Sequence, residues 1–354
     1  MKNGRNKIVA ALIVIALVGT SAWLYARHKN RRDENVIRFF DSTVGTEFEI
    51  AQVLTGRDFL REEGVHLKKT ISVDNSGGTV AIQALVANNV DYAGSAYTAW
   101  INAIARGAKI TAVVNMAASS KINPGNGLVV LADSGIHSIK DVADKRIGVN
   151  VLGALSDYEI RDLLRTNGMT IDQVQLVVVP SRNIEQALRS HQIDAAAWTM
   201  NGGPDFENTI ARGGVYEVPS TRRFDLHGSV VTYGSGFRND FIQKHPQAVI
   251  HFINALERSR RVIWDAYVKD PLSMRKAYAE VTERKGGNPA LARFYKPNYA
   301  TDHLYANDQD LQVWIDCLAA DGKIKSGQVK PSDIYTHKYN QFYPADKAQP
   351  ERGL

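Results

Sequence analysis

The sequence has a single cysteine, Cys317, so no disulfide can close within the chain. That cysteine lies in the stretch 311–318, an amphipathic helical pattern, which fits a small buried apolar residue better than a nucleophile. Glycine-rich phosphate loops are missing: neither G-x-x-x-x-G-K-[ST] nor G-x-G-x-x-G occurs. There is no G-x-S-x-G elbow, and Gly234-Ser235-Gly236 reads as a turn. None of the nine histidines stands in H-x-H or H-E-x-x-H spacing, which leaves a metal site without support. Low-complexity tracts are absent too. No catalytic constellation, metal or cofactor is therefore expected, and the chain is read as a non-enzyme.

An excess of positive charge is also missing from most of the chain. The formal net charge is +6, but seven positive side chains fall in the first 32 residues, which hold no Asp or Glu. Beyond them stand 36 basic against 37 acidic residues. A nucleic-acid footprint needs a basic face or stripe, and bulk charge supplies none.

What is present begins with a leader. Lys2, Arg5 and Lys7 precede an uncharged apolar stretch from Ile8 to Ala26, the layout of an export signal or a single membrane anchor. Thr20-Ser21-Ala22 offers small residues for cleavage, and the lack of a cysteine there excludes a lipidated amino terminus. Arg27, Lys29, Arg31 and Arg32 follow, so the positive-inside rule mildly favours a cytosolic orientation. Export to the periplasm is nonetheless expected, with tethering to the inner membrane if residues 1–32 stay attached.

One phrase then occurs twice. Gln83-Ala84-Leu85, four residues and Val90-Asp91-Tyr92-Ala93 return as Gln186-Ala187-Leu188, four residues and Ile193-Asp194-Ala195-Ala196, 103 residues later. The interval is far longer than a solenoid repeat. Each copy reads as the end of an amphipathic helix, a polar turn and a short buried strand. Strands alternate with helices up to about Val218, which argues an α/β fold of two similar lobes, one mixed sheet each. Expected bounds are 33–128 for the first part of lobe 1, 129–225 for an inserted lobe 2, and 226–354 for the return to lobe 1 with carboxyl-terminal helices. The run Val174 to Val179 reads as a strand covered on both faces.

Candidate binding residues follow strand ends. Ser76-Gly77-Gly78-Thr79, Ser95-Ala96-Tyr97 and Gly153-Ala154-Leu155-Ser156 each lead into a helix, and Trp198-Thr199 leave the second copy of the repeat. Free N–H groups at helix starts carry partial positive charge and hold anionic or polar heads without a basic side chain. Plain alternatives stand beside these: Ser156 to Glu159 fits a capping box, Gly77 and Gly78 suit a tight turn, and Trp100 suits a core. The repeat offset sets Ser95 opposite Trp198, where a large ring at a strand exit would cover a guest.

In the order of its segments the chain resembles periplasmic substrate-binding proteins of the nitrate/sulfonate/taurine class, a group that includes thiamine-precursor binders. The matching text is Gly78-Thr79 to Gly107, Gly127-Leu128-Val129-Val130, Ser134-Gly135-Ile136 to Asp141, Lys145 to Val149, and Gln186-Ala187-Leu188 to Asp194-Ala195. No one motif is specific; the ordered set is, over roughly Val36 to Phe342. The resemblance implies a type II two-lobed binding-protein fold with a hinge, a small polar or anionic organic solute trapped between the lobes, and a closed form that docks on an ABC permease with its ATPase. A monomer is expected. Ligand positions implied are Thr43, Ser76 to Thr79, Ser95, Ala96, Gly153 to Ser156, Trp198 and Thr199, with Tyr97 beside Trp198. Glu47 and Glu49 depart from the pattern, since acids seldom follow the first strand of an anion receptor. A membrane-anchored sensor, and an enzyme of the pyrimidine-precursor or menaquinone-pathway kind on the same fold, are the alternatives.

Overall fold

A computed structural model describes residues 35–40, 46–71, 77–121, 123–125, 127–198, 203–297 and 305–342. The chain starts with β1 (Val36–Phe40), α1 (Thr46–Thr55), α2 (Phe59–Glu62), β2 (His66–Ile71), α3 (Gly77–Val86), β3 (Tyr92–Ala96), α4 (Tyr97–Ala105) and β4 (Ile110–Ala118). It continues through β5 (Leu128–Leu131), β6 (Arg146–Val149), α5 (Leu155–Thr166), β7 (Gln175–Val178), α6 (Ile184–Arg189), β8 (Ala195–Ala197), α7 (Pro204–Ala211), β9 (Val215–Glu217) and α8 (Arg223–His227). It ends with β10 (Val231–Arg238) and five helices: α9 (Asn239–Lys244), α10 (Pro246–Lys269), α11 (Pro271–Arg284), α12 (Asp308–Ala320) and α13 (Pro331–Ile334).

The strands form two five-stranded mixed sheets, ordered β2-β1-β3-β10-β4 and β7-β6-β8-β5-β9. The plan is the same in both. A parallel trio comes first, then a strand antiparallel to it, then an outer strand. In each sheet the antiparallel strand is the one beside a crossover between the sheets: β5 on the way in, β10 on the way out. The repeated phrase builds α3–β3 in one sheet and α6–β8 in the other.

The match extends to single atoms. Asp91 accepts hydrogen bonds from the Arg38 backbone N–H (3.0 Å) and Nε (2.9 Å), and Asp194 accepts the same pair from Arg146 (2.8 and 3.0 Å). Asn88 and His191, again 103 residues apart, both adopt left-handed φ, at 62° and 57°. Their carbonyls accept from the arginines of the same clamps. The repeated Asp is thus a fastener at the amino end of β3 and β8.

Lobe 1 has a core on each face of its sheet. Phe39, Phe48, Tyr92, Phe237 and Phe252 pack under α1 and α10; Tyr97, Trp100, Leu85 and Trp314 pack under α3, α4 and α12. The helix α10 runs 24 residues and stops at Asp270-Pro271, where Asp270 caps the next helix through the Ser273 N–H at 3.1 Å. Trp100 is fully buried and donates to the Gly234 carbonyl, as a core residue should.

Several readings change. Gly234-Ser235-Gly236 is no turn but the middle of β10, where glycine permits close approach: a Cβ at Gly236 would lie 2.0 Å from the Thr111 carbonyl oxygen. The strand at Gln175–Val178 is an edge, with Val178 exposed, so its apolar run does not mean cover on both faces. The apolar stretch Ile8 to Ala26 lies outside the described residues. Among the described residues no helix is long and apolar enough to cross a membrane.

Candidate functional site

In open α/β sheets ligands bind outside the carboxyl ends of the parallel strands. Here those ends lead into α1 after β1, α3 after β2, α4 after β3, α5 after β6, α6 after β7 and α7 after β8. The N-cap residues of α4, α5 and α7 are Ala96, Ala154 and Gly203, and none supplies a side-chain cap. First-turn N–H groups at these helices are therefore not taken by an N-cap side chain.

On lobe 1, Gly78 rests on Ser95. A Cβ at position 78 would lie 2.2 Å from the Ser95 hydroxyl, so the glycine brings the start of α3 onto the tip of β3. Ser95 and Ala96 are buried, while Gly78 and Thr79 keep partial exposure. The Tyr97 ring is fully buried against Gly234, which leaves its backbone, not its phenol, to meet a guest. Thr43, Ser76 and Thr199 lie outside the described residues; Gly77 is the first residue of α3.

On lobe 2, the loop leaving β6 is ordered by Asn150, whose Oδ1 accepts from the Val151 N–H and the Ser156 hydroxyl, both at 2.9 Å. Gly153 holds φ +75°, a conformation that favours glycine, and its N–H donates to Asp157 at 2.7 Å. Ser156 is not the cap the sequence suggested: α5 starts one residue earlier, and the Ser156 side chain is fully buried on Asn150. Leu152 stands 54% exposed on this loop. Trp198 is only 8% exposed, its ring edge-on to Phe206 at 5.8 Å, so the strand exit buries it within lobe 2.

The two halves meet through α5. Leu155 and Tyr158 join the same apolar cluster as Tyr97, Trp100 and Trp314 of lobe 1, so the first residues of α4 and α5 share one core. Asn102 Nδ2 donates to the Tyr158 hydroxyl at 3.3 Å, and Arg161 bridges to Asp321 at 3.4 Å. Across the opposite flank, Lys296 pairs with Glu207 at 3.2 Å. Beside Trp198 the seam holds a cavity of about 20 Å³, lined also by Trp314, Arg223, Glu159, Asp162 and His227. That is room for a water molecule, not an organic solute. Burial alone would raise the Asp162 carboxyl, but the His227 hydrogen bond at 2.5 Å and the charge of Arg165 hold it below the usual range. Arg223, paired with Glu159, is pulled down to about 9 by burial and stays protonated at neutral pH. Burial pushes the Cys317 thiol up to about 12, so it is no nucleophile at neutral pH.

Sequence reasoning missed Asn150, Leu152 and the seam cavity. Asn150 directly after Gly148-Val149 was a readable signal, a polar side chain at a strand exit. The cavity joins α5, α8 and α12, which no local pattern connects.

The sequence matches the family described as NMT1/THI5 like over residues 50–271, more than half its length. Several solved structures share the fold. The alkanesulfonate-binding protein of Xanthomonas axonopodis pv. citri, bound to MOPS, aligns with a TM-score of 0.65 at 15% identity, over 85% of this chain and 98% of that one. The periplasmic aliphatic sulphonate-binding protein of Escherichia coli aligns with a TM-score of 0.60 at 15% identity, over 85% and 92%. A Brucella abortus relative, whose name goes no further than a binding role, is 26% identical over 299 residues, 78% of this chain and 85% of its own length. The chain belongs to the NMT1/THI5-like family and has the periplasmic-binding-protein fold.

Proposed function

We propose that this NMT1/THI5-like chain is the extracytoplasmic solute receptor of an ABC importer. It captures a small polar or anionic organic solute between two lobes, bounded near residues 128 and 225, and presents the closed form to a permease. The observation that carries this reading is the meeting of Tyr97 and Leu155 in one cluster. Each opens a helix at the tip of its own sheet, so a solute seated there touches both lobes only when they are together. Helix N–H groups near Gly77 to Thr79, Ala96-Tyr97 and Ala154 would hold its polar head. Leu152 and Trp198 would border the apolar remainder.

The test is a thermal-shift screen over sulfonates, nitrate, aminosulfonates, pyrimidines and small aromatic acids. A true solute raises Tm with concentration as RT ln(1 + [L]/Kd) and is recovered unchanged. A chemically altered compound would instead favour the enzyme alternative. Trp198→Ala should weaken the hit at least about tenfold, or ~1.4 kcal/mol. Because the ring is mostly buried, Trp198→Phe serves as the folded control; unchanged affinity in folded Trp198→Ala protein would remove that residue from the site.

A further inference from the structure

The clamp of Asp91 and Arg38 has a twin in lobe 2, and the two differ in what surrounds them. In lobe 1 a concavity of about 340 Å³ opens beside Asp91, at the amino ends of β1 and β3. That volume lies at the lower end of the range for small-molecule sites. The parallel strands run from it toward the solute seam, so β3 keeps the two places roughly 15 Å apart.

Four permanent cations line the concavity, Arg38, Lys68, Arg238 and Lys244, against two carboxylates, Asp91 and Asp240. Asp91 is engaged within the protein, where it accepts from Arg38 at 2.6 and 2.9 Å and from Arg238 at 3.1 Å. Asp240 accepts from Arg238 Nε at 2.9 Å and lies 3.7 Å from Lys244. Lys68 has no hydrogen bond or ion pair among the described residues. His245 also lines the space, its ring 4.8 Å from that of Phe241. The surplus is positive, and both guanidiniums are fixed before any guest arrives.

The twin shows that the fastener does not need this surplus. Strand register pairs Arg38 with Lys68 in lobe 1, and Arg146 with Gln175 in lobe 2. It also sets Phe237 opposite Tyr92 and Val130 opposite Ala195, so Arg238 corresponds to Leu131. Arg146 clamps Asp194 with neither extra cation. The plain alternative is that Arg238 serves the deeper burial of Asp91 and the lysines are only solvated. It accounts for Arg238, but not for Lys68 and Lys244 gathering on the same hollow, where like charges repel and focus a positive field. A phosphate monoester brings nearly two negative charges and three acceptor oxygens, which match that surplus.

We propose that this concavity is a second binding site, for a phosphate monoester group, at the end of lobe 1 opposite the solute seam. Val36, on its lining, stands ten residues after the apolar stretch ends at Ala26. An anchor that stayed attached would hold the site within about 36 Å of a bilayer, so lipid phosphate is a source alongside free phosphate.

The test uses the full chain. Inorganic phosphate and glycerol 3-phosphate are the free probes, and phosphatidylcholine vesicles with or without phosphatidic acid are the lipid probe. At constant ionic strength, a free probe should raise Tm where chloride does not. Lys68→Gln combined with Lys244→Gln should weaken that binding at least about tenfold. Lys68→Arg combined with Lys244→Arg keeps the charge, should retain binding, and guards against a folding defect in the Gln pair. If lipid is the source, phosphatidic acid should slow amide exchange over 66–71 and 239–244, and the Gln pair should abolish the effect. No response to either source, or a response that survives the Gln pair, overturns the assignment. A phosphate response that survives the Gln pair and disappears in Gly78→Ala belongs to the solute seam and overturns it equally. The receptor reading is tested separately, since a solute that binds the Gln pair as it binds wild type upholds that reading whichever way phosphate behaves.

Discussion

Position 78 shows how a missing side chain can build a site. Replacing Gly78 with Ala puts a Cβ 2.2 Å from the Ser95 hydroxyl, inside any tolerable contact. Either Ser95 turns away or α3 lifts from β3, and both move the N–H groups proposed to hold the solute. The expected cost is about 1–3 kcal/mol of stability, the usual range for overpacking. Denaturant melts would read it, together with weaker binding of whichever solute the screen finds. Gly153 is a different case, since a Cβ there meets open space and only the backbone angle resists. Gly78→Ala melting like wild type would mean that the contact between α3 and β3 is softer than its geometry implies.

At the scale of elements, the repeat was legible because a helix end, turn and buried strand leave a local pattern of apolar and polar residues. Its purpose was not. Asp91 and Asp194 belong to the repeated phrase, but only the sheet register brings Arg38 and Arg146 onto them from more than forty residues away. The cover over Trp198 was hidden for a related reason, since Phe206 comes from the next helix over. Ser156 matched a capping motif that lost to Asn150, six residues earlier. The paired clamps make a controlled comparison. Asp91 is 6% exposed and also receives Arg238, whereas Asp194 is 28% exposed. Asp91→Ala should cost about 3–5 kcal/mol as a broken buried pair, and Asp194→Ala about 1 kcal/mol or less. Hydrogen bonds from Arg146 lower the Asp194 carboxyl. A carboxyl depressed on folding stabilises above its unfolded pKa and loses that contribution as pH falls through the folded value. The gap between wild type and Asp194→Ala should therefore narrow below about pH 4. Equal losses at the two positions would show that burial does not set the strength of the clamp.

For the whole molecule, the deciding feature is that the chain crosses between the sheets twice, and the two crossovers are tied together. Ser119, fully buried, donates from its backbone N–H to the Val230 carbonyl at 2.9 Å and from its hydroxyl to the Gly228 carbonyl at 2.7 Å. That hydroxyl also accepts from the Val230 N–H at 3.1 Å. Gly228 and Gly125 hold positive φ on these same segments, so bending there is available without strain on a side chain. Motion of one lobe on the other would concentrate at this knot, while the contacts of α5 with α4 and α12 make and break as a unit. Ser119→Ala strands a buried Val230 N–H, with an expected loss of about 1–3 kcal/mol. A looser knot should also lower apparent affinity, because less of the ligand-free population is ready to close. Small-angle scattering gives the direct reading. Saturating solute should reduce the radius of gyration of wild-type protein, and Ser119→Ala should need more solute for the same compaction. A radius that does not change on saturation would mean the lobes stay put, and capture by closure would have to give way to binding at a fixed surface.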